Sequence, residues 1–366
     1  RVREGERGRD TEREKERERE GNERGSALPA PFLYYCAILP LSLTAMSSFA
    51  LKWARDVIAK GGSVLLSEFD QFIDWHTVST PHKSSEQNSD KCRYYDIPCY
   101  DSNRVVLKDR ERDFYHANRV ISPDGATLNF IAAQGPLSNT ISDFWHLVMQ
   151  ERVPCIVQLC SFDEGPSALH GCARYWADDV GDSVPYGYFR PVTARRHPDI
   201  ADGVEWRTIR LERKGCTPIE VEHVFVRCWP DFGVPDCVRP VAAVARWLDQ
   251  RKKSDGEGPV LVHCLAGIGR TSTLIAVLFG LHALMQTKEP MDVLKGSSET
   301  CLDHETESTA RPLMVRIARQ LRAQRAYSIQ TRMQYVYANA CILYMLAEDK
   351  TIEMSELKGF PFCDAK

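Results

Sequence analysis

The sequence predicts an α/β protein, a single domain in which a central twisted mixed β-sheet is flanked by helices. Three observations carry that expectation. Apolar runs of strand length recur between residues 104 and 264, helical patterns of 10 to 17 residues lie between and after them, and the last strand-like run passes through a glycine loop directly into a helix. With 366 residues and 43% hydrophobic content, the chain can bury a sizeable core as one large domain or two medium ones. Strands alternating with helices over about 260 residues make it one.

The folded elements begin late. Residues 1–24 hold nine basic and nine acidic side chains and no apolar period, so they are expected as a disordered, low-complexity tail. Met46 is the first methionine, and residues 1–45 are expected to be in part upstream sequence that is not normally translated. From Gly25 to Leu51 there is no charge, yet Pro29, Pro31 and Pro40 make this a poor spanning helix, and its mixed-charge flank is no signal-peptide n-region. A cytoplasmic protein is expected, with a membrane anchor through 25–51 as the lesser alternative. LKWARDVIAK and VLLSEFDQFIDW read as helices and STPHKSSEQNSDK as a polar connection, making 46–90 a helical lead-in and linker. Strands are expected at 104–107, 129–134, 154–159, 223–229 and 259–264. Helices are expected at 142–151, 239–253, 271–285 and 332–348.

Charge and cysteine usage narrow the function. A net charge of -3 excludes a protein that holds nucleic acid or anionic membrane through a general positive field, so any anion must be gripped locally. Thirteen cysteines, no two spaced as CxxC, favour free thiols in a reducing compartment over a disulfide framework or a structural zinc site.

The sharpest constellation is PVLVHCLAGIGRTSTLIAVLFGLHAL, in which a buried-type strand ends at Cys264, a loop with Gly267 and Gly269 follows, and a helix starts at Arg270. Such a loop can turn its amides inward as an anion cradle, with the helix N-terminus behind it. It is no nucleotide loop: the Lys-Ser/Thr pair is missing and a thiol stands at its centre. Inward amides and a guanidinium stabilise a thiolate, and the same donors suit a phosphoryl group. Of the 13 cysteines only Cys264 has an arginine six residues on. Cys264 is therefore the candidate nucleophile, Arg270 the phosphate clamp, and Thr271 the hydroxyl that serves the sulfur when it leaves. The bland alternative is a structural cysteine on a core strand. A general acid is also needed, and Asp231 in RCWPDFGVPD, on a turn shaped by Pro230, Gly233 and Pro235, is the candidate.

HCLAGIGRTS and WPDFGVP resemble the signature and mobile acid loop of the tyrosine-specific protein phosphatases, the cysteine-dependent class with a large catalytic domain. KCRYYDIPCYDSNRVVL, DFYHANRV, NFIAAQGPL, DFWHLVMQE, CARYWADD and QTRMQY agree with that family in order, from about Lys91 to Leu346. The resemblance implies a non-receptor-type catalytic domain over 91–348, in which the polar stretch 289–311 lengthens the interval from Cys264 to Gln330 and reads as an inserted surface loop or an unspliced segment; 349–366 is expected as a C-terminal tail. It implies hydrolysis of phosphotyrosine in proteins through a cysteinyl-phosphate intermediate, with no metal or cofactor. Leu265, Ala266, Gly267, Ile268 and Gly269 would bind phosphate through their backbone. Tyr94 would wall a deep pocket by stacking on the substrate ring, Asp96 would bind the peptide backbone, and Phe232 would close over the ring. Gln330 and Gln334 would position the hydrolytic water, while Glu164 buttresses Arg270 and His263 supports the nucleophile. Phosphotyrosine proteins are the expected partners, with no nucleic acid and no membrane; the oligomeric state stays open.

Several positions depart from the family pattern. Leu265 stands where Ser is usual, Ser272 where Gly is, Cys92 where Asn precedes Arg-Tyr, and Gly171 where Lys is common; none removes a reacting group. Two rival readings are a phosphotyrosine-binding pseudoenzyme, hinted at by Leu265, and a dual-specificity phosphatase, which the Tyr94 segment opposes.

Overall fold

The computed structural model describes residues 48–73, 80–122, 129–164, 171–231, 233–251, 258–285 and 311–363, all within one compact unit spanning Ala45–Lys366. The charged tail, most of the uncharged stretch, Phe232 and residues 289–310 of the expected insertion lie outside the described residues.

The lead-in is one bent element, α1 (Ser48–Phe72), in which two helices meet at Gly61 with φ 63°. Glycine adopts that conformation without the steric cost a side chain would add. Then follow the short α2 (Lys83–Gln87), β1 (Arg104–Val106), β2 (Phe114–Ile121), β3 (Asn129–Gln134), α3 (Ile141–Gln150), β4 (Cys155–Gln158), β5 (Phe189–Arg196), β6 (Val204–Arg213) and β7 (Ile219–Val226). The chain continues through α4 (Arg239–Gln250), β8 (Val260–Cys264), α5 (Arg270–Met285), α6 (Leu313–Gln324) and α7 (Arg332–Glu348). Beyond α7, Ile352, Leu357 and Phe360 are buried, so the expected C-terminal tail packs on the domain.

The described strands form one eight-stranded mixed sheet in the order β1-β2-β3-β8-β4-β7-β6-β5. The inner strands β3, β8, β4 and β7 run parallel, and the outer strands pair antiparallel. Residues 260–264 (VLVHC) read as a continuous apolar run because β8 is flanked on both sides, as inner parallel strands are. Side chains alternate between the faces. Phe130 of β3 meets Phe279 of α5, and its register partner Val260 points the same way. His263, three residues on, points to the opposite face, where Phe144 of α3 lies 5.9 Å from its ring. Helix α5 is apolar on every side and buried from Arg270 to Leu281, as its place among β3, β8, α6 and α7 requires.

Strands β2, β5 and β6 and helix α6 were not among the expected elements. In β2, His116 and Asn118 are buried, which breaks the apolar pattern, while β5 and β6 carry charged residues on an ion-paired outer surface. Helix α6 follows the polar stretch and has five basic or amide side chains among its 12 residues; the apolar set Leu313, Met314, Val315, Ile317, Ala318 and Leu321 makes its buried face.

Candidate active site

The parallel strands end together, with Gln134 beside Cys264 and Gln158 beside His263. Cys264 is thus the last residue of the central strand, at the carboxyl edge where open α/β sheets bind ligands. Its sulfur is 3% exposed at residue level and accepts the Gly267 amide at 3.2 Å. Burial is the largest influence on the thiol and opposes ionisation. The charge of Arg270, the hydroxyl and amide of Thr271 and the Gly267 amide together outweigh it, so the pKa falls below the usual thiol value. Thr271 Oγ1 is buried and makes no hydrogen bond to nitrogen or oxygen, so the thiolate does not share it.

Gly267 permits the loop's turn. Its φ is 73°, and a Cβ there would stand 2.1 Å from the Ala133 carbonyl oxygen. Two buried arginines hold the loop from outside. Arg325, at the end of α6, donates to the carbonyls of Gly267 at 2.6 Å and Ala266 at 2.9 Å and is anchored on Asn118 at 2.8 Å. Arg93 donates to the Leu265 carbonyl at 3.2 Å, and to those of Gly171 and Gly135 at 2.9 Å and 2.8 Å. With these carbonyls drawn outward, the Gly267 amide is left facing the sulfur. Neither arginine was given a role from the sequence: Arg93 enters only as part of the Arg-Tyr pair of a family segment, and nothing distinguishes Arg325 from a surface charge.

Arg270 is nearly fully buried and held on three sides: Nη1 donates to Glu164 Oε2 at 2.6 Å and the Trp229 carbonyl at 3.1 Å, and Nη2 to Asp231 Oδ1 at 2.9 Å. Burial disfavours its charge, but the Cys264, Cys160 and Glu164 groups outweigh that and hold it protonated. Asp231 is therefore already at the site. Trp229 beneath it is buried against Tyr337, with its indole nitrogen donating to Gly233 at 3.1 Å.

A cavity of about 220 Å³ is lined by Tyr94, Asp96, Ile97, Asp231, Cys264, Leu265, Ala266, Gly269, Arg270, Gln330 and Gln334. Ten of these eleven are candidates from the sequence, and Ile97 is the addition. Tyr94 is half-buried; burial, then the negative charges of Asp231 and Cys264, raise its pKa. Tyr95 beside it is 96% exposed. Gly267 and Ile268 stay off the cavity wall: the first gives its amide to the sulfur and the second its carbonyl to the Ile329 amide at 3.0 Å. Gln334 caps α7, its Oε1 accepting from the amides of Gln330 at 2.9 Å and Thr331 at 3.2 Å, so its Nε2 is left for the cavity. His263 is fully buried, with Nε2 2.7 Å from the Tyr175 hydroxyl and Nδ1 3.2 Å from the Cys264 carbonyl. Phe232 lies outside the described residues.

The departures from the family pattern are accommodated. Leu265 is buried and its carbonyl accepts from Gly135 N at 3.0 Å. Ser272 donates to Ser328 at 3.0 Å, and burial pushes the Cys92 thiol up to about 12.

Comparison with known proteins agrees with this geometry. Residues 88–344 match the family model for protein-tyrosine phosphatase. The chain is 32% identical over 282 residues to a Lar-like tyrosine-protein phosphatase of Caenorhabditis elegans, covering 76% of this chain and 12% of that protein. It is 30% identical over 265 residues to mouse tyrosine-protein phosphatase non-receptor type 7, covering 71% of this chain and 65% of that one. It thus spans less than two thirds of either relative. The crystal structure of the catalytic domain of human protein tyrosine phosphatase non-receptor type 18 superposes with a TM-score of 0.66 at 24% identity, covering 81% of this chain and 99% of that domain. A cysteine cradled at the end of a central parallel strand, with the family match across the whole sheet, leaves one assignment: the chain belongs to the protein-tyrosine phosphatase family.

Proposed function

We propose that this chain hydrolyses phosphotyrosine in proteins by double displacement on Cys264. The observation that carries the reading is the buried sulfur whose pKa is lowered by Arg270, Thr271 and Gly267, set 33 residues from an acid already bonded to that arginine. The thiolate attacks phosphorus and the P–O bond to the phenol breaks, while Asp231 gives its proton to the departing oxygen. The ion pair between Asp231 and Arg270 occupies a place that a phosphoryl oxygen can take. An incoming dianion would exchange with the carboxylate on Nη2, and Asp231, so freed, takes up a proton from solvent and carries it to the leaving group. In the second step a water ordered by Gln330 and Gln334 gives its proton to Asp231 and attacks phosphorus, and the thiolate leaves toward Thr271. Glu164 keeps Arg270 in plane, and the Ala266 and Gly269 amides stabilise the charge that develops. Tyr94 and Ile97 clasp the ring, Asp96 takes a peptide amide at the rim, and Phe232 is the residue we assign to closing over the ring.

The free thiols of the described residues fit a reducing, cytoplasmic setting. No helix among the described residues is long and apolar enough to cross a membrane.

The test is hydrolysis of phosphotyrosine and phosphoserine peptides by the purified chain in EDTA. Turnover of phosphotyrosine only, abolished by Cys264→Ser, supports the reading. Tight phosphopeptide binding without phosphate release would make the chain a binding module, and equal rates on both peptides would remove the selective pocket.

A further inference from the structure

On the face of the sheet turned toward α3, behind the phosphate loop, lie three ligand atoms that touch no reacting atom of the proposed hydrolysis, although one of them, on His263, also braces the Cys264 carbonyl. Cys160, Cys172 and His263 are buried, and their two sulfurs and one imidazole nitrogen lie within 4.8 Å of one another. A second observation shows what two of these groups, Cys172 and His263, face. A Cβ placed on Gly135 would meet the Cys264 carbonyl oxygen at 2.6 Å, Cys172 Sγ at 3.1 Å and His263 Nδ1 at 3.4 Å. Three donors therefore converge on the space beside one glycine, and Nδ1 is the nitrogen on that side. Nε2 is engaged by Tyr175 at 2.7 Å.

Buried cysteines commonly act as small hydrophobic residues. Packing alone, however, does not require two thiols and an imidazole to meet in one buried place; the contact between His263 Nδ1 and the Cys264 carbonyl is itself a hydrogen bond, which a bound ion would replace. Two thiols, an imidazole and an oxygen form a four-donor set whose softness suits Zn²⁺. The ion would take the place of the proton in the 3.2 Å hydrogen bond between Nδ1 and the Cys264 carbonyl, a span close to the edge, about 3.4 Å, of a tetrahedron with Zn–N and Zn–O arms of about 2.1 Å. A second shell is in place as well: Tyr175 contacts Nε2, and Gln158 Oε1 accepts from Tyr175 at 2.9 Å.

We propose that Cys160, Cys172 and His263 Nδ1 bind Zn²⁺, with the Cys264 carbonyl as fourth ligand, and that the bound ion inhibits the enzyme. On binding, the two thiols release two protons to solvent, and the dication with two thiolates adds no net charge to the interior. The imidazole stays neutral with its proton on Nε2, where it donates to Tyr175, and Tyr175 donates to Gln158. Inhibition follows from the ligands themselves. The ion takes Nδ1 and the carbonyl on which the end of β8 rests, and so shifts the backbone that aims Cys264. Because the ligands are closed off, binding waits on local opening and inhibition develops slowly, unlike capture by the open pocket.

The direct test titrates Co²⁺ into the Cys264→Ser protein, where the nucleophile cannot compete. A thiolate-to-cobalt absorption band saturating at one equivalent, and lost on adding Cys160→Ala or Cys172→Ala, supports the site. Absence of the band, or its persistence in both variants, overturns it. In parallel, Zn²⁺ inhibition of the otherwise unaltered enzyme should weaken about 100-fold in Cys160→Ala and in Cys172→Ala. Orthovanadate in the active-site pocket should not protect against it. Inhibition equal in both variants and relieved by orthovanadate would put the ion on Cys264 and end the proposal. Zinc-free turnover by each variant reports that it is folded, and the cobalt band in the Cys264→Ser protein decides the question without either.

Discussion

The proposed reaction asks Arg270 to do two things that compete. It must stay charged in a nearly dry site, and it must present its fork to a phosphate while Glu164, Trp229 and Asp231 already hold it. Glu164 and the Cys264 thiolate meet the first demand; the exchangeable bond to Asp231 meets the second. Asp231→Ala removes the proton donor but leaves the cradle, so kcat should fall about 10²- to 10⁴-fold while phosphopeptide affinity holds or rises. Stopped-time assays paired with peptide pull-down check both outcomes. A parallel loss of binding would mean that Asp231 builds the site instead of acting in it.

Cys264 supplies a pH dependence whose sign can be worked out. Its folded-state pKa lies below the usual thiol value of 9.0, because Arg270, Thr271 and Gly267 outweigh burial. The thiolate therefore contributes stability that is fully present above the unfolded pKa and is lost as pH falls through the folded one. The same ionisation sets reactivity. Inactivation by iodoacetamide should show its inflection below 9.0, and Thr271→Val should move that inflection upward while phosphate still protects. An unchanged inflection in Thr271→Val would show that the hydroxyl does not stabilise the thiolate.

At the scale of elements, the phosphate loop is shaped as much by α6 as by its own glycines. Arg325 reaches from the end of α6 to two loop carbonyls, and a lysine there would supply one point charge in place of a planar fork. Arg325→Lys should lower kcat/KM about 10²-fold through misplaced amides, with weaker inhibition by orthovanadate and little change in circular dichroism. Activity near that of the unaltered chain would remove Arg325 from the positioning role. The elements that carry the chemistry were legible in the sequence for a physical reason. Residues 259–285 join a mostly apolar strand, two glycines and an apolar helix, a pattern few other structures satisfy, and α7 was expected over its observed span, 332–348. Helix α6 was not, because its buried stripe alternates with arginines and follows a polar stretch. The two clamp arginines were invisible with it: burial of a charged side chain is decided by partners distant in sequence, 58 residues away for the Gly267 carbonyl. Strand β2 was hidden by His116 and Asn118, which the sequence shows as polar and the fold places beside Arg325.

For the whole molecule, the question is whether the lead-in helix belongs to the catalytic domain. Its residues read as a separate segment before a polar linker, yet α1 packs along α7, whose first turn carries Gln334. Glu68 is buried there, bonded to Lys60 at 2.6 Å and accepting from the Tyr335 hydroxyl at 3.0 Å. Phe69 is 2% exposed, with its ring 5.9 Å from that of Tyr335 and under the guanidinium of Arg322 at 5.6 Å. Replacing a buried phenylalanine by alanine costs about 3–5 kcal/mol. Phe69→Ala should therefore lower the midpoint of urea unfolding by that free energy, in a single transition shared by far-ultraviolet circular dichroism and loss of activity. At 25 °C, below that transition, kcat should stay close to that of the unaltered chain, because the substitution touches no group in the cavity. If activity were lost at the same urea concentration as in the unaltered chain, α1 would be a separate appendage. Coincident transitions shifted together would show that this domain's stability is built partly from a helix that begins 216 residues before its nucleophile.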